Sequence, residues 1–295
     1  MQLKIGSSLK NGEYTITEVL GQVGFGITYL ARQHITIQGQ LGSINSSINV
    51  AIKEFFMKDC CNRNSENSFV SVGSLGSREQ VEQYKQKFIK EAYNISKLSH
   101  PHIVKVADLF EENGTAYYVM EYLESTSLDN YIAENGAVCQ QEATEYIRQI
   151  ADALDYIHKK KINHLDVKPA NILRKANSDV ILIDFGVSKQ YDISNNQTSS
   201  TPVGISRGYA PIEQYKTGGV GQFSPTTDIY SLGATFYKLL TGNTPPDAFD
   251  IFDGVTLIFP EDISQTTISA ITTSMKPSRA DRPPKYHCIF GAYLL

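Results

Sequence analysis

HLDVKPAN at positions 164–171 and VILIDFG at positions 180–186 decide how this chain reads. Asp166, Lys168 and Asn171 are spaced two and then three residues apart, in what reads as a loop because Pro169 blocks a helix there. Val180 to Ile183 is a short apolar run, which predicts a buried strand delivering Asp184 at its end. A carboxylate that can accept a hydroxyl proton, a lysine, an asparagine and a second carboxylate are the parts that phosphoryl transfer needs. One acid orients the nucleophile, the amide and the other acid hold Mg²⁺, and the lysine neutralises charge on the moving group. A turn with incidental charges has no reason to assemble all four.

Composition narrows the setting. The chain has 295 residues, 41% of them apolar and 20% charged, which describes a soluble globular protein with ample core for one large domain or two ordinary ones. A net charge of −4 argues against general binding to nucleic acid or membrane surfaces. No apolar run is long enough to span a membrane, and Met1 to Lys10 lacks the apolar core of a signal peptide. Cys60, Cys61, Cys139 and Cys288 have no metal-ligand spacing, and the adjacent pair does not bridge easily. The plain expectation is free thiols, exposed or half-buried, in a reducing cytoplasmic setting.

The two stretches resemble the catalytic loop and magnesium loop of the protein kinases. Upstream, Tyr14 to Arg32 reads as two strands around a glycine-rich turn, GQVGFG at 21–26. Ile27 to Ala31, directly after the glycines, is strand-like, which argues against a dinucleotide fold. With VAIKE at 50–54, the stretch resembles the kinase nucleotide loop and lysine strand. Gly21 and Gly26 fit the usual Gly-x-Gly-x-x-Gly, while the middle position is Val23 with Gly24 beside it. A β-branched side chain is stiff and bulky at that point, so Val23→Gly is expected to improve ATP use. Period-2 alternation puts Ala51 and Lys53 on one face. From Arg78, Val81, Tyr84, Phe88, Ala92 and Ile95 recur at helical spacing, with Glu91 among them and Pro101 as the stop.

The resemblance implies the rest. Lys53 pairs with Glu91, and Lys53, Glu91, Asp166 and Lys168 form the catalytic set. ATP is held by Leu20, Gly21, Gly24, Gly26, Thr28, Ala51, Lys53, Met120 as gatekeeper, the backbones of Glu121 and Leu123, and Leu173. Asn171 and Asp184 hold Mg²⁺. Ser206 ties the catalytic Asp to its Lys, Asp228 anchors the loop from beneath, and Glu213 pairs with Arg282. Leu165 stands where most members have an arginine that grips an activation-segment phosphate. A phosphoryl group orders a loop only by finding a cation. Activity is therefore expected not to depend on phosphate at Ser194, Thr198, Ser199, Ser200 or Thr201.

The implied fold is α+β and two-lobed. A small lobe, 13–122, holds an antiparallel sheet of about five strands with one main helix, and a larger helical lobe covers 123–283. Residues 33–49 read as an enlarged polar hairpin loop, 55–77 as a polar insert with a possible strand at Phe69 to Val72, and 284–295 as an atypical tail. Gln141 to Lys160 predicts an amphipathic core helix with Cys139 in the N-cap place, where a cysteine caps poorly. Asp228 to Leu240 predicts a buried helix stopped at Gly242. The implied activity is transfer of the γ-phosphoryl of Mg-ATP to serine or threonine hydroxyls of proteins, most like the bacterial kinases of eukaryotic type. No sensor domain or anchor is evident, so partners or the inserts would regulate it, and oligomeric state has no signature. A pseudokinase scaffold would keep the fold and lose the chemistry, but all six groups that touch ATP, metal or nucleophile are present. A small-molecule kinase would not be expected to carry the Glu213 and Arg282 pair.

Overall fold

The computed structural model describes residues 1–23, 26–39, 42–73, 75–185, 189–190, 205–215 and 223–286. It divides into two units, 1–99 with 105–122, and 100–104 with 123–295. No described helix is long and apolar enough to cross a membrane.

The first unit is built on a six-stranded antiparallel sheet. Its strands are β1 (Ser8–Leu9), β2 (Tyr14–Val23), β3 (Gly26–Gly39), β4 (Gly42–Phe55), and, after an insert and a helix, β7 (Val106–Glu112) and β8 (Thr115–Glu121). Spatial order is β1-β2-β3-β4-β8-β7. Asn113 (φ 53°) and Gly114 (φ 72°) make the tight turn between β7 and β8, both in the left-handed region that such a hairpin requires. Helix α1 (Leu75–Ser96) begins before the expected Arg78 and buries Val81, Ala92 and Ile95. Its Phe88 packs on Phe55 and Tyr118.

Residues 33–39 and 42–49 are strand rather than loop. β3 and β4 pair without a shift from Gly26↔Phe55 to Gly39↔Gly42, so the segment is a long two-stranded ribbon. Polar composition suggested a loop, but β-branched Ile35, Thr36, Ile37, Ile44 and Ile48 favour extended backbone, and cross-strand bonds pair the facing backbone groups of the two strands.

The 55–77 insert also has more structure than its polarity suggests. β5 (Cys61–Arg63) and β6 (Val70–Val72) form a hairpin. Arg63 holds it down through a 2.6 Å ion pair with Glu54, whose side chains are 4% and 0% exposed. The Tyr29 and Tyr117 hydroxyls each donate to Glu54 at 2.8 Å, so the buried carboxylate has a full set of partners. A Cβ on Gly114 would lie 2.8 Å from Val70 O, so only glycine lets the insert approach the β7–β8 turn this closely. Cys60 is half-buried and Cys61 fully buried, the latter less accessible than expected, while Cys139 is exposed; Cys288 lies outside the described residues.

The second unit contains α2 (Leu128–Asn135), α3 (Gln140–Lys159), α4 (Pro225–Thr241), α5 (Ala248–Phe252) and α6 (Gln265–Ser274). Between α3 and α4 lie β10 (Ile162–Asn163), β11 (Ile172–Lys175), β12 (Val180–Leu182) and β13 (Lys189–Gln190); β9 (Ser125–Ser127) precedes α2. β12-β11-β9 form one small sheet and β10-β13 another. α4 is buried almost all round and stops at Gly242, at φ 71°. Cys139 occupies the N-cap of α3 and makes no side-chain cap bond. In the tail, Tyr286 is buried and stacks on His158, 5.5 Å between centroids; 287–295 lie outside the described residues.

Candidate active site

In the second unit, strand β12 is wholly buried and ends just before Asp184, which sits at φ 58°. An aspartate tolerates that left-handed backbone better than most residues. β11 runs antiparallel to β12 with Ile172 opposite Leu182, so Asn171 and Ile183 are neighbours, and Ile183 N–H donates to Asn171 O at 3.0 Å. The Asp166–Asn171 loop differs in one detail from a plain loop. Pro169 to Asn171 form a single 3₁₀ turn with the proline at its start, where its missing N–H costs nothing.

The side chains converge on Asp166. Ser206 Oγ donates to Asp166 Oδ1 at 2.6 Å, and Lys168 Nζ donates to Ser206 Oγ at 2.9 Å. Lys168 Nζ also lies 2.9 Å from Asp166 Oδ2. Asn171 Nδ2 donates to Asp166 O at 2.9 Å and to Asp166 Oδ2 at 2.8 Å. Both amide hydrogens are thereby committed to Asp166, and Asn171 keeps its hard carbonyl oxygen for another partner. Among the described residues no group of three or more His, Cys, Asp or Glu could hold a metal. An amide oxygen and the Asp184 carboxylate nonetheless suit Mg²⁺, which takes one or two protein oxygens and completes its shell with phosphate and water.

The loop is held from beneath. Asp228, on the first turn of α4, accepts His164 N–H at 2.9 Å, Leu165 N–H at 2.7 Å and His158 Nε2–H at 2.7 Å. It is fully buried; burial pushes its carboxyl up, but the His158 hydrogen bond and charge, with the Leu165 amide, leave it below the ordinary value. His164 is also fully buried, and burial pushes its pKa down despite the nearby acids. Its neutral Nε2–H form fits both neighbours, donating to Ile183 O at 3.2 Å and accepting Asp166 N–H on Nδ1 at 3.3 Å. Gln214 Nε2 donates to Leu165 O at 2.8 Å.

Glu213 and Arg282 meet as expected from their motif. Arg282 Nη1 and Nη2 donate to the two oxygens of Glu213 at 2.7 and 3.1 Å. The remaining guanidinium donors reach the carbonyls of Thr226, Lys276 and Pro277.

In the first unit, the register places Gly21 opposite Thr28, Thr28 opposite Lys53, and Ala51 opposite Met120. Thr28, Ala51, Lys53 and Met120 therefore share one face of the sheet. Gly26 lies against Lys53: a Cβ there would come within 3.2 Å of Lys53 Cε and of Glu54 O. Lys53 Nζ lies 5.9 Å over the Tyr118 ring. Lys53 and Glu91 are each engaged by neighbouring groups. Leu20 is exposed beside a register shift between Val19 and Gly21, and Glu121 ends β8. Leu123 and Leu173 belong to the second unit, Leu173 in β11 opposite Ile181. Gly24 lies outside the described residues, as do the five candidate phosphate acceptors at 194–201.

His158 and Gln214 carry no signal of their own in the sequence. Their roles come from helix packing and from a contact that spans 49 residues of chain for Gln214 and 70 for His158. The one hint was a histidine in the last turn of a helix just ahead of the catalytic loop.

A profile of the protein kinase domain matches residues 57–283, a span that begins just after the lysine strand. The serine/threonine-protein kinase PrkC of Bacillus subtilis is 31% identical over 273 residues, covering 92% of this chain and 34% of that protein. Serine/threonine-protein kinase B of a Synechocystis strain is 31% identical over 259 residues, 82% of this chain and 39% of that one. The chain thus spans little more than a third of the length of these two curated relatives. A solved structure titled PpkA-294 apo form superposes with a TM-score of 0.77 at 26% identity, covering 100% of this chain and 99% of the other.

Proposed function

This chain belongs to the protein kinase family, and on that premise we propose that it transfers the γ-phosphoryl group of Mg-ATP to serine or threonine hydroxyls of protein substrates. The observation that carries the reading is the Asp166–Ser206–Lys168–Asn171 cluster. Asp166 is the only carboxylate among these four, and it is oriented by three separate partners. That suits a group that accepts the proton of an incoming hydroxyl. Lys168 offers positive charge beside it for the phosphoryl group in transit. Asn171 and Asp184 would hold Mg²⁺ through oxygens, and the metal, when bound, supplies neutralisation of phosphate charge. Lys53, paired with Glu91, is assigned to the α- and β-phosphates. Leu20, Gly21, Gly24, Gly26, Thr28, Ala51, Met120, Glu121, Leu123 and Leu173 are assigned to the rest of the nucleotide.

Incubation with Mg-ATP and generic protein substrates, read by mass spectrometry, tests the activity. Asp166→Asn is expected to lower phosphotransfer by roughly 10²–10⁴-fold with ATP affinity near normal, since it removes a general base. Asp184→Asn is expected instead to raise the Mg²⁺ requirement. Phosphate on tyrosine alone, or equal losses of ATP affinity and turnover in Asp166→Asn, would overturn the assignment.

A further inference from the structure

The β3–β4 ribbon runs on after its neighbours have stopped. β2 pairs with β3 only as far as Tyr14↔Gln33, with His34 N–H still reaching Glu13 O at 2.8 Å. β8 pairs with β4 only from Val50↔Glu121 inward. Beyond these points, among the described residues, 35–39 pair only with 42–46, and 47–49 pair only with 32–34. The arm therefore presents two open edges of backbone donors and acceptors.

Its two faces differ. Cross-strand partners share a face, so Gln33, Ile35 and Ile37 stand with Ile48, Ser46 and Ile44. Further in, the same face carries Tyr29, Ala31, Val50 and Ile52, which are 0 to 4% exposed and belong to the hydrophobic core. Out on the arm, Ile37, Ile44 and Ile48 are 55%, 68% and 49% exposed. The opposite face holds His34, Thr36, Gln38, Ser43, Asn45 and Ser47, with Thr36 Oγ1 donating to Asn45 Oδ1 at 3.0 Å. A core face continues past the end of its cover.

Exposed strand edges are ordinarily guarded by lysines, prolines, inward charges or bulges. From Gln33 to Asn49 there is no Asp, Glu, Lys, Arg or Pro, and the arm's register runs without a shift. We propose that the arm is a self-association surface, on which two copies of this chain pack their isoleucine faces together about a two-fold axis. An identical arm offers a face of the same length and width, with no charge on either side to desolvate or repel. A partner chosen by charge finds nothing on this arm to recognise.

The size of the contact sets its strength. Six residues of strand span ~20 Å and paired strands sit ~5 Å apart, so arm on arm covers a small patch. It falls below the ~800 Å² per partner of a standard stable interface. The dimer is accordingly weak and concentration-dependent, with a dissociation constant on the order of micromolar or above.

Sedimentation velocity of the full chain across a concentration series up to ~300 µM tests this, the upper limit being set by the expected weakness. The expected result is a monomer–dimer equilibrium that Ile37→Lys with Ile44→Lys weakens at least tenfold. Both positions are exposed, so the melting temperature should not move. Ile37→Ser with Ile44→Ser should shift the equilibrium the same way by less, and serves if the lysines perturb the arm. A chain that stays monomeric throughout, or a dimer indifferent to both variants, would overturn the proposal.

Discussion

Asp228 accepts the backbone N–H of Leu165 at 2.7 Å, and Leu165 sits at φ 66°, in the left-handed region. That conformation costs a leucine about 1–2 kcal/mol. It is held by the Asp228 bond on one side and the Gln214 bond to its carbonyl on the other. The strained residue directly precedes Asp166, so the anchor sets the backbone from which the central carboxylate projects. Asp228→Asn turns one acceptor oxygen into a donor facing an N–H. A buried unsatisfied group costs about 1–3 kcal/mol, and loss of stability in that range is expected, together with reduced turnover. Urea midpoints and kcat measured on the same preparations check both; wild-type values for the two would refute the anchoring role.

Ser206 joins Asp166 to Lys168 through one hydroxyl, accepting from the lysine and donating to the acid. Removing it in Ser206→Ala breaks two hydrogen bonds to charged groups, each worth about 1.5–3 kcal/mol. Because Lys168 keeps its direct 2.9 Å contact with Asp166, the net loss is taken as that of one such bond, and turnover is expected to fall ~10- to 150-fold at little change in KM for ATP. Ser206→Thr keeps the hydroxyl and should retain most activity. An alanine variant as active as the parent would show that the bridge is incidental.

Arg282 is buried and spends its guanidinium on Glu213 and three backbone carbonyls. Arg282→Met strands the Glu213 carboxylate, for which a loss of about 3–5 kcal/mol is expected. Arg282→Lys keeps the charge but not the two-pronged geometry, and should recover only part of it. Adding Glu213→Gln to Arg282→Met should cost less than the sum of the single changes. Strict additivity in chemical denaturation would mean the two side chains do not stabilise each other.

The buried His164 gives the fold a pH dependence of definite sign. Its folded pKa lies below the ordinary 6.5, because burial disfavours the imidazolium. Above pH 6.5 neither state holds the proton and stability is unaffected. As pH falls below 6.5, the unfolded chain takes up a proton that the folded chain refuses. Stability then drops by up to ~1.4 kcal/mol per pH unit until the folded pKa is reached. His164→Asn should flatten that part of the profile, though His100, also pushed down by burial, contributes a slope of the same sign. An unchanged slope in His164→Asn, measured by urea midpoints between pH 6.5 and 5, would assign the effect elsewhere.

Local chemistry made much of this protein legible in advance. Asp166, Lys168, Asn171 and Asp184 announce themselves because phosphoryl transfer needs those groups on adjoining loops, whatever surrounds them. β12 is readable because a buried strand leaves an unbroken apolar run, and α4 because a buried helix is apolar on nearly every face. Glu213 and Arg282 could be matched across 69 residues because each sits in a recognisable motif. Polar segments were the least legible where pairing, not burial, supplied the order, although the strand expected at Phe69 to Val72 is present as Val70–Val72. The 33–49 ribbon and the 61–72 hairpin are ordered by pairing across strands while their side chains stay mixed in character.

Only the tertiary structure decided the supports. That Arg63 would meet Glu54 and two tyrosines, that His158 would join Asp228, and that Leu165 would be held at φ 66° are outcomes of long-range packing. Such contacts join ordinary residue types at no fixed spacing. The sequence carries the chemistry in its spacing because Asp166, Lys168 and Asn171 are delivered by one short loop; the scaffold that aims them is a three-dimensional sum, and no local pattern records it.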